Sequence, residues 1–585
     1  MFRKILFAGA AAVLLHSCAT APSSAPLTAQ DLLSGDYAVS TATPFDVDAF
    51  LGAFPDWMTS SYANASFDAG AGAMVIDGLK IGLSAMPGMT LDIVEVRIWS
   101  PDIAAMEAVY AGTADYVEMS KLVDRVALYG IQPSGLQRAS GSQSGAMTID
   151  QLVFDGVSAR SFAIPENPNA PADMRPLRWL AAVNNSYAFD GVAYSGLSFK
   201  MNDNQGNEVS ISVNEGFARG YDRGYTAYQS ARNIRYETST IGTLPVQGPK
   251  EVAFKKEENP KDQKKFAKIL QPEFGRALED AVSNPVAILA QAYGGTSSAQ
   301  SIEFVEWSDY DLSKILPYLV RWQMPPTSER NILSLGRGAT VNASQSLNGR
   351  MIYSAARSEF DLSNFAWLIP TRLGMAETGS MFDAGAMMDI ANAQGVNTPE
   401  FNQARQMLAD IGLEQIRFDS SFDWLWNPDT GAASLGQTAA IQGFADIGFG
   451  VDAGGPSFDG WLALSDGTLD AEPEDLISLA NAHFAVRDSG ALDKLFALAA
   501  AQSGAGTGED LRAAAPAMLR MSGAQAAEIN PRIAGYIEAV ATFIEAGGEI
   551  EATIAPATPV NLNALNNVGP DTLPDLLNLN IIHRP

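Results

Sequence analysis

The chain has 585 residues, 66 of them acidic against 38 basic, for a formal charge of −28. A surface that acidic repels phosphate backbones, which excludes nucleic acid as a partner. Apolar residues make 47% and charged residues 18%, the balance of a folded chain long enough for one large or two to three ordinary domains.

The first element is an export signal. Arg3 and Lys4 precede an apolar run over residues 5–15, too short to span a bilayer and the right size for a signal core. Leu15-His16-Ser17-Cys18 resembles a bacterial lipobox, in which the cysteine is lipidated and becomes the new N-terminus. Leu15 and Ser17 fit that pattern and His16 departs from it. The competing reading is ordinary signal-peptidase cleavage around Ser17-Cys18-Ala19 or Ala19-Thr20-Ala21. Cys18 is the single cysteine, so the mature body has no disulfide framework, no thiolate metal site and no cysteine nucleophile. The next residues, ATAPSSAPLTAQ, are small and uncharged and read as a flexible tether. Cys18 is therefore the expected lipidation site, and the membrane the expected anchor. The lack of Asp after it favours the outer membrane, with the chain facing the periplasm. A soluble periplasmic or secreted form is the alternative. No later segment has 18 consecutive apolar residues, as a helical span requires.

The body divides at a lysine-rich stretch. Thirteen lysines are present and seven fall between Lys250 and Lys268, together with Pro249, Pro260 and Pro272. A solvated linker or loop is the plain reading, and a docking strip for an acidic partner or anionic headgroups the sharper one. The resulting organisation is a signal peptide over 1–17, Cys18 and tether over 18–30, a β-rich first half over 31–248, the lysine-rich segment over 249–272, a β-rich second half over 273–478, and a helical subdomain with a returning strand over 479–585.

Weak internal repeats run through both halves. GAMVIDGL from Gly72 recurs as GAMTIDQL from Gly145. SDYDLSKILPYLV from Ser308 recurs as SEFDLSNFAWLIP from Ser358, with looser echoes at WSPDIAAMEAVY from Trp99 and FDVDAFLGAF from Phe45. Each suggests a strand followed by a short Asp-capped helix that packs back on a sheet, in units that must stack to bury a core. In IRFDSSFDWLWNPDTG, Ile416, Phe418, Phe422, Trp424 and Trp426 alternate with Arg417, Asp419, Ser421 and Asp423, which predicts a strand closed by a turn at Asn427–Gly431. Its apolar side is either core or the wall of an acyl-chain groove. Further turns are expected at residues 202–206 and at Asp466-Gly467.

Helices come next. ALDKLFALAAA and EDLRAAAPAMLRM read as two, the second broken or kinked at Pro516. NPRIAGYIEAVATFIEAGG places Ile533, Tyr536, Ile537, Val540, Phe543 and Ile544 on one face, capped by Asn530, opened by Pro531 and stopped by Gly547-Gly548. EIEATIAPATPV alternates again as a strand. A strand, VRDSGALDKLFALAA, several helices and AGGEIEATIAPATPVNLNAL together resemble the end of a loose group of uncharacterised proteobacterial envelope proteins. These are β-rich and likened to the AsmA-type proteins with lipid-lining β-grooves. The resemblance covers residues 470–580, and its motifs are structural, so it carries over no functional residue.

Catalytic patterns are sparse. Histidine occurs at His16, His483 and His583 alone, and His483 reads as structural. There is no Gly-x-Ser-x-Gly elbow, Ser-x-x-Lys, Gly-Lys or His-Glu-x-x-His. Gly448-Phe449-Gly450 opens a weak dinucleotide pattern, but Gly454, Gly455 and Pro456 stand where a helix should start. Residues 202–208 have a calcium-loop composition without its ligand spacing. No catalytic, cofactor-binding or metal residue is assigned, and no cofactor is expected. The expected fold is α+β, a repetitive antiparallel β-rich body with short capped helices and a helical C-terminal subdomain. The expected role is that of a non-enzymatic envelope lipoprotein that binds lipid or another envelope protein. The alternatives are a carboxylate-dependent hydrolase and an outer-membrane β-barrel.

Overall fold

The computed structural model describes residues 27–239 and 297–585, apart from short segments at 36, 38–42, 55–57, 84–89, 113–117, 135–143, 162–166, 168–173, 203–207, 394, 396–397, 466, 470–472, 505, 566–567 and 570. The signal, Cys18 and the lysine-rich stretch over 249–272 lie outside the described residues.

One antiparallel sheet runs through the chain. Its strands are β1 (Met58–Ser61), β2 (Asn64–Asp68), β3 (Ala73–Leu83), β4 (Thr90–Trp99), β5 (Ser120–Ser134), β6 (Ser144–Ala159), β7 (Tyr187–Asn202), β8 (Glu208–Asp222), β9 (Tyr225–Ser239), β10 (Ser297–Asp311), β11 (Ser334–Leu347) and β12 (Arg350–Leu362). A small separate hairpin, β13 (Phe365–Ala366) and β14 (Ile369–Pro370), comes next. The sheet resumes with β15 (Arg372–Asp383), β16 (Gln415–Trp426), β17 (Ala432–Ile441), β18 (Ala445–Gly454), β19 (Ser478–Asp488), β20 (Glu549–Ile554), β21 (Val560–Asn561) and β22 (Asn580–Arg584). From β3 to β20 each strand of the sheet pairs with the next in sequence. β1 and β2 share the outer side of β3, and β22 closes the other end on β20, so the sheet is open. β9 and β10 flank the lysine-rich stretch in sequence and pair from Ser239↔Ser297 to Tyr225↔Asp311.

The long strands share a local device. Left-handed residues sit inside them at Gly78, Gly130, Gly196, Asn233, Asn342 and Gly379, on every second strand from β3 to β15. A second set, Gly156, Gly220, Asp309 and Gly336, lies in β6, β8, β10 and β11. At each position of the first set the pairing skips a residue, as between Asp77↔Glu95 and Leu79↔Ile93. These are bulge-like creases, which bend and twist a sheet. Glycine is required where the neighbouring strand fills the space above it. At Gly196 (φ 63°) a Cβ would lie 2.0 Å from the Asp150 carboxylate, and at Gly156 (φ 64°) 2.1 Å from that of Asp190.

A crease shifts the side-chain alternation by one residue. In β3 the core face therefore carries Met74, Ile76, Leu79 and Ile81, and in β4 Leu91, Ile93, Val96 and Ile98. Followed through the pairing, one row of this face reads Met74, Ile98, Val126, Phe154, Val192, Ala218, Gln229, Trp307, Gly338, Phe360, Met375, Phe422, Gln437, Phe449, Phe484, Ala552, Ile581. It is apolar from β3 to β22 with two glutamines and one glycine. The opposite face carries cross-strand ion pairs, among them Arg232–Glu215, Arg357–Glu306, Arg372–Asp423 and Arg487–Glu549.

The first half of the apolar face is covered. After α1 (Ala29–Leu33) come α2 (Val47–Gly52) and α3 (Ile103–Tyr110), which lay Val47, Phe50, Met106 and Val109 on Ile76, Val96, Ile98 and Leu122. Asp46 and Asp102 cap these two helices, as the echoes at Phe45 and Trp99 predict. α1 packs on the opposite face with Leu32 against Trp99, Ala127, Val153 and Phe217. α4 (Arg175–Asn184) and α5 (Leu316–Arg321) form a small cluster through Ala181, Ala182, Leu316 and Val320.

The stronger repeat is only half alike. Asp311 and Asp361 each accept from the amide and hydroxyl of the serine two residues on, so both strands end in the same turn. The first copy then forms α5, whose start has no side-chain cap. The second forms the β13–β14 hairpin and no helix. This corrects the expected unit: the aspartate closes the turn and leaves the next element, helix or hairpin, unspecified.

In the second half, α6 (Ala384–Ala393) and α7 (Pro399–Asp410) connect β15 to β16, and α8 (Phe458–Ser465) comes after β18. β16 spans the predicted strand, and the Asn427 side chain accepts the Asp429 and Thr430 amides in the predicted turn. β7 and β8 form a hairpin across 203–207, while Gly467 comes after a helix and not a strand. The expected helical C-terminal subdomain needs correction. α9 (Ala491–Ser503), α10 (Gly508–Ala526) and α11 (Pro531–Ala546) are an excursion between β19 and β20. Those two strands pair from Arg487↔Glu549 to Ala482↔Ile554, so the C-terminal region completes the sheet. α11 begins and ends as expected, with Asn530 at its cap and Gly547 at its stop. α10 runs unbroken past Pro516, held between α9 and α11, so the break allowed for in the sequence does not occur.

Candidate functional site

The short helices over the first half do not extend to the second, where the apolar row reaches solvent at β15, β18 and β19. Met375 is 51% exposed, Phe449 40% and Phe484 45%, whereas Ile98 and Val192 of the same row are 2% exposed. A parallel row, Leu373, Trp424, Leu435, Val451, Ala482 and Ile554, lies beside it. At one strand end the face is closed by α8 and the β13–β14 hairpin, where Phe458, Leu462 and Trp367 pack on Trp424 and Trp426. At the other end of β11 and β12, α6 sets Ile390 on Leu347 and Ile352. Ten strands carry the row from Trp307 to Ile581. At the usual strand spacing the row runs roughly 40 Å, with α11 packed against β20 and β22 at its far end.

The reverse face of the same strands holds a shallow hollow of about 460 Å³, lined by Asp419, Asp446, Arg487 and Glu549 with smaller residues of β15 to β20, and reached by Glu377 from β15. Two of its carboxylates are engaged structurally. Glu549 takes both Arg487, at 2.7 Å, and Arg584. Asp419 accepts the crease amide of Gly379 at 2.6 Å. Asp190 is the single described carboxyl held above its ordinary range, by burial first and then by Asp155, and it lies in β7, outside the hollow. No group of three metal-ligating side chains occurs among the described residues, and no described helix is long and apolar enough to cross a membrane.

The residues singled out in the sequence do not gather. His483 stands exposed on the polar face of β19, its ring over Gly450. His583 lies in β22, with Nε2 2.7 Å from the Gly547 carbonyl. Gly448, Phe449 and Gly450 are all in β18 and open no helix. Cys18 and the lysine-rich stretch fall outside the described residues. Sequence reasoning missed the exposed row itself, whose signal was Phe449 and Phe484 in register with Phe422.

A family model described only as an uncharacterized protein matches residues 441–584, which contain β18 to β22 and the helical excursion. No curated protein matches the chain.

Proposed function

We propose that the chain is a non-enzymatic cell-envelope lipoprotein that binds lipid along the uncovered half of its apolar face. The observation that carries this reading is the row Met375, Phe422, Phe449 and Phe484, in register, with Met375, Phe449 and Phe484 open to solvent between closed strand ends. Acyl chains laid on it would remove apolar surface from water at about 25 cal/mol per Å². The ion-paired reverse face keeps the other side of the sheet wet. The expected lipid anchor at Cys18, and the likeness to lipid-grooved envelope proteins, point to the same compartment and ligand class.

Two measurements test the reading. Native mass spectrometry of the purified chain should show co-purified lipid, and a lipid-free spectrum from freshly extracted protein contradicts it. A reporter fused to residues 1–30 should be labelled by palmitate in a globomycin-sensitive way. Labelling that survives Cys18→Ser removes the anchor from the proposal.

A further inference from the structure

The open half of the apolar face contains one polar island. Tyr353 and Ser358 in β12 and Glu377 and Ser380 in β15 occupy it. Ser380 Oγ donates to Glu377 Oε2 at 3.2 Å, and Ser380 is 1% exposed. The Tyr353 hydroxyl lies beside the same carboxylate. Burial, and then that carboxylate, push its phenol up to about 12, so it remains a neutral donor at physiological pH. Glu377 stands in the row Ser358–Glu377–Ser420, next to the row Phe360–Met375–Phe422.

The island differs from the ion-paired acidic positions opposite, although Asp419 on that face also meets no arginine and accepts the Gly379 amide instead. On the reverse face Glu306, Glu359, Asp361, Asp423, Glu549 and Glu551 each meet an arginine. Among the described residues no Lys, Arg or His lies within ion-pair distance of Glu377. A half-buried carboxylate on an apolar face without a cation is costly in proportion to its burial, and a ligand that supplies the positive charge lowers that cost.

We propose that Glu377 and Tyr353 form the headgroup site for a lipid bearing a primary ammonium, whose acyl chains lie on Met375, Phe422, Phe449 and Phe484. This rests on the lipid-binding reading above. An ammonium donates N–H bonds and brings the missing charge. A quaternary ammonium brings charge without a donor, and an anionic headgroup meets a carboxylate in a chain of net charge −28.

The test uses delipidated full chain and three phospholipids with identical acyl chains and ethanolamine, choline or glycerol headgroups, titrated by native mass spectrometry. Wild type should favour ethanolamine over choline by about tenfold, the scale of one charge-assisted hydrogen bond. Glu377→Gln should remove the preference while acyl-dependent binding remains, with thermal unfolding confirming that the variant is folded. Tyr353→Phe should reduce it in part. Binding without headgroup preference, or a preference that survives Glu377→Gln, overturns the headgroup site and leaves the groove. No binding of any of the three lipids overturns the groove and the headgroup site together.

Discussion

Ile98 and Phe484 occupy the same apolar row, one covered and one open, and truncating each to alanine should separate stability from binding. Ile98 is 2% exposed beneath the short helices of the first half. Ile98→Ala should cost about 3 kcal/mol, because the lost transfer energy adds to a cavity that the rigid sheet cannot close. Phe484 is 45% exposed. Fully burying a phenylalanine is worth up to about 3 kcal/mol, and with nearly half its surface already wet Phe484→Ala should cost roughly 1 kcal/mol. Lipid content should respond in the opposite order: unchanged in folded Ile98→Ala, reduced in Phe484→Ala, and lost in Phe484→Glu, which sets a carboxylate among the acyl chains. Equilibrium urea denaturation and native mass spectrometry on the same preparations give both numbers. Equal stability losses, or lipid content unchanged in both Phe484 variants, would refute the division of the face into covered and open halves.

Two further outcomes rest on the geometry. Gly196→Ala should destabilise by more than about 2 kcal/mol, since a left-handed alanine costs 1–2 kcal/mol and its Cβ also meets Asp150 at 2.0 Å. Gly349→Ala, at φ 75° with nothing within 4 Å, should show the conformational part alone. Comparable losses in urea would mean that the crease tolerates a side chain. Burial opposes ionisation of Asp361, but hydrogen bonds from Ser363, and then Arg337 and Arg372, outweigh it and hold the carboxyl below its ordinary range. Its folded-state value thus lies under the unfolded one, so its contribution is complete above about pH 4 and fades as pH falls through the folded value. Asp361→Asn should be less stable than wild type at pH 7, with the gap narrowing toward pH 3. A gap that stays constant with pH removes the ionised carboxylate from the explanation.

Some of this architecture was legible in the sequence and some was hidden by a specific cause. The strand from Gln415 to Trp426 contains no crease, so its alternation survives intact and predicts the face correctly. The helix from Pro531 to Ala546 carries its cap, opening proline and stop in the sequence. The first half is less readable because left-handed residues shift the alternation. Met74, Ile76, Leu79 and Ile81 stand at spacings that match neither a clean strand nor a helix. The exposed row was beyond reach for a different reason. Aligning Phe422 with Phe449 and Phe484 takes the register of three strand pairs. Knowing that it is open takes the position of helices drawn from residues 47–52 and 103–110.

The alternation of the creases also sets how this sheet can lengthen or shorten. The residues of the first set, Gly78 to Gly379, occur on every second strand from β3 to β15, and the strand between supplies the residue that lies across from each of them. Removing one strand would set two creases of that set on adjacent strands and reverse the direction of every strand beyond. Removing a hairpin deletes one whole period: creases stay in phase, directions are kept, and the apolar row rejoins in register. The length of the apolar face is therefore quantised in steps of two strands, about 10 Å each. Chains built on this plan should differ from one another by whole hairpins, with the end caps unchanged.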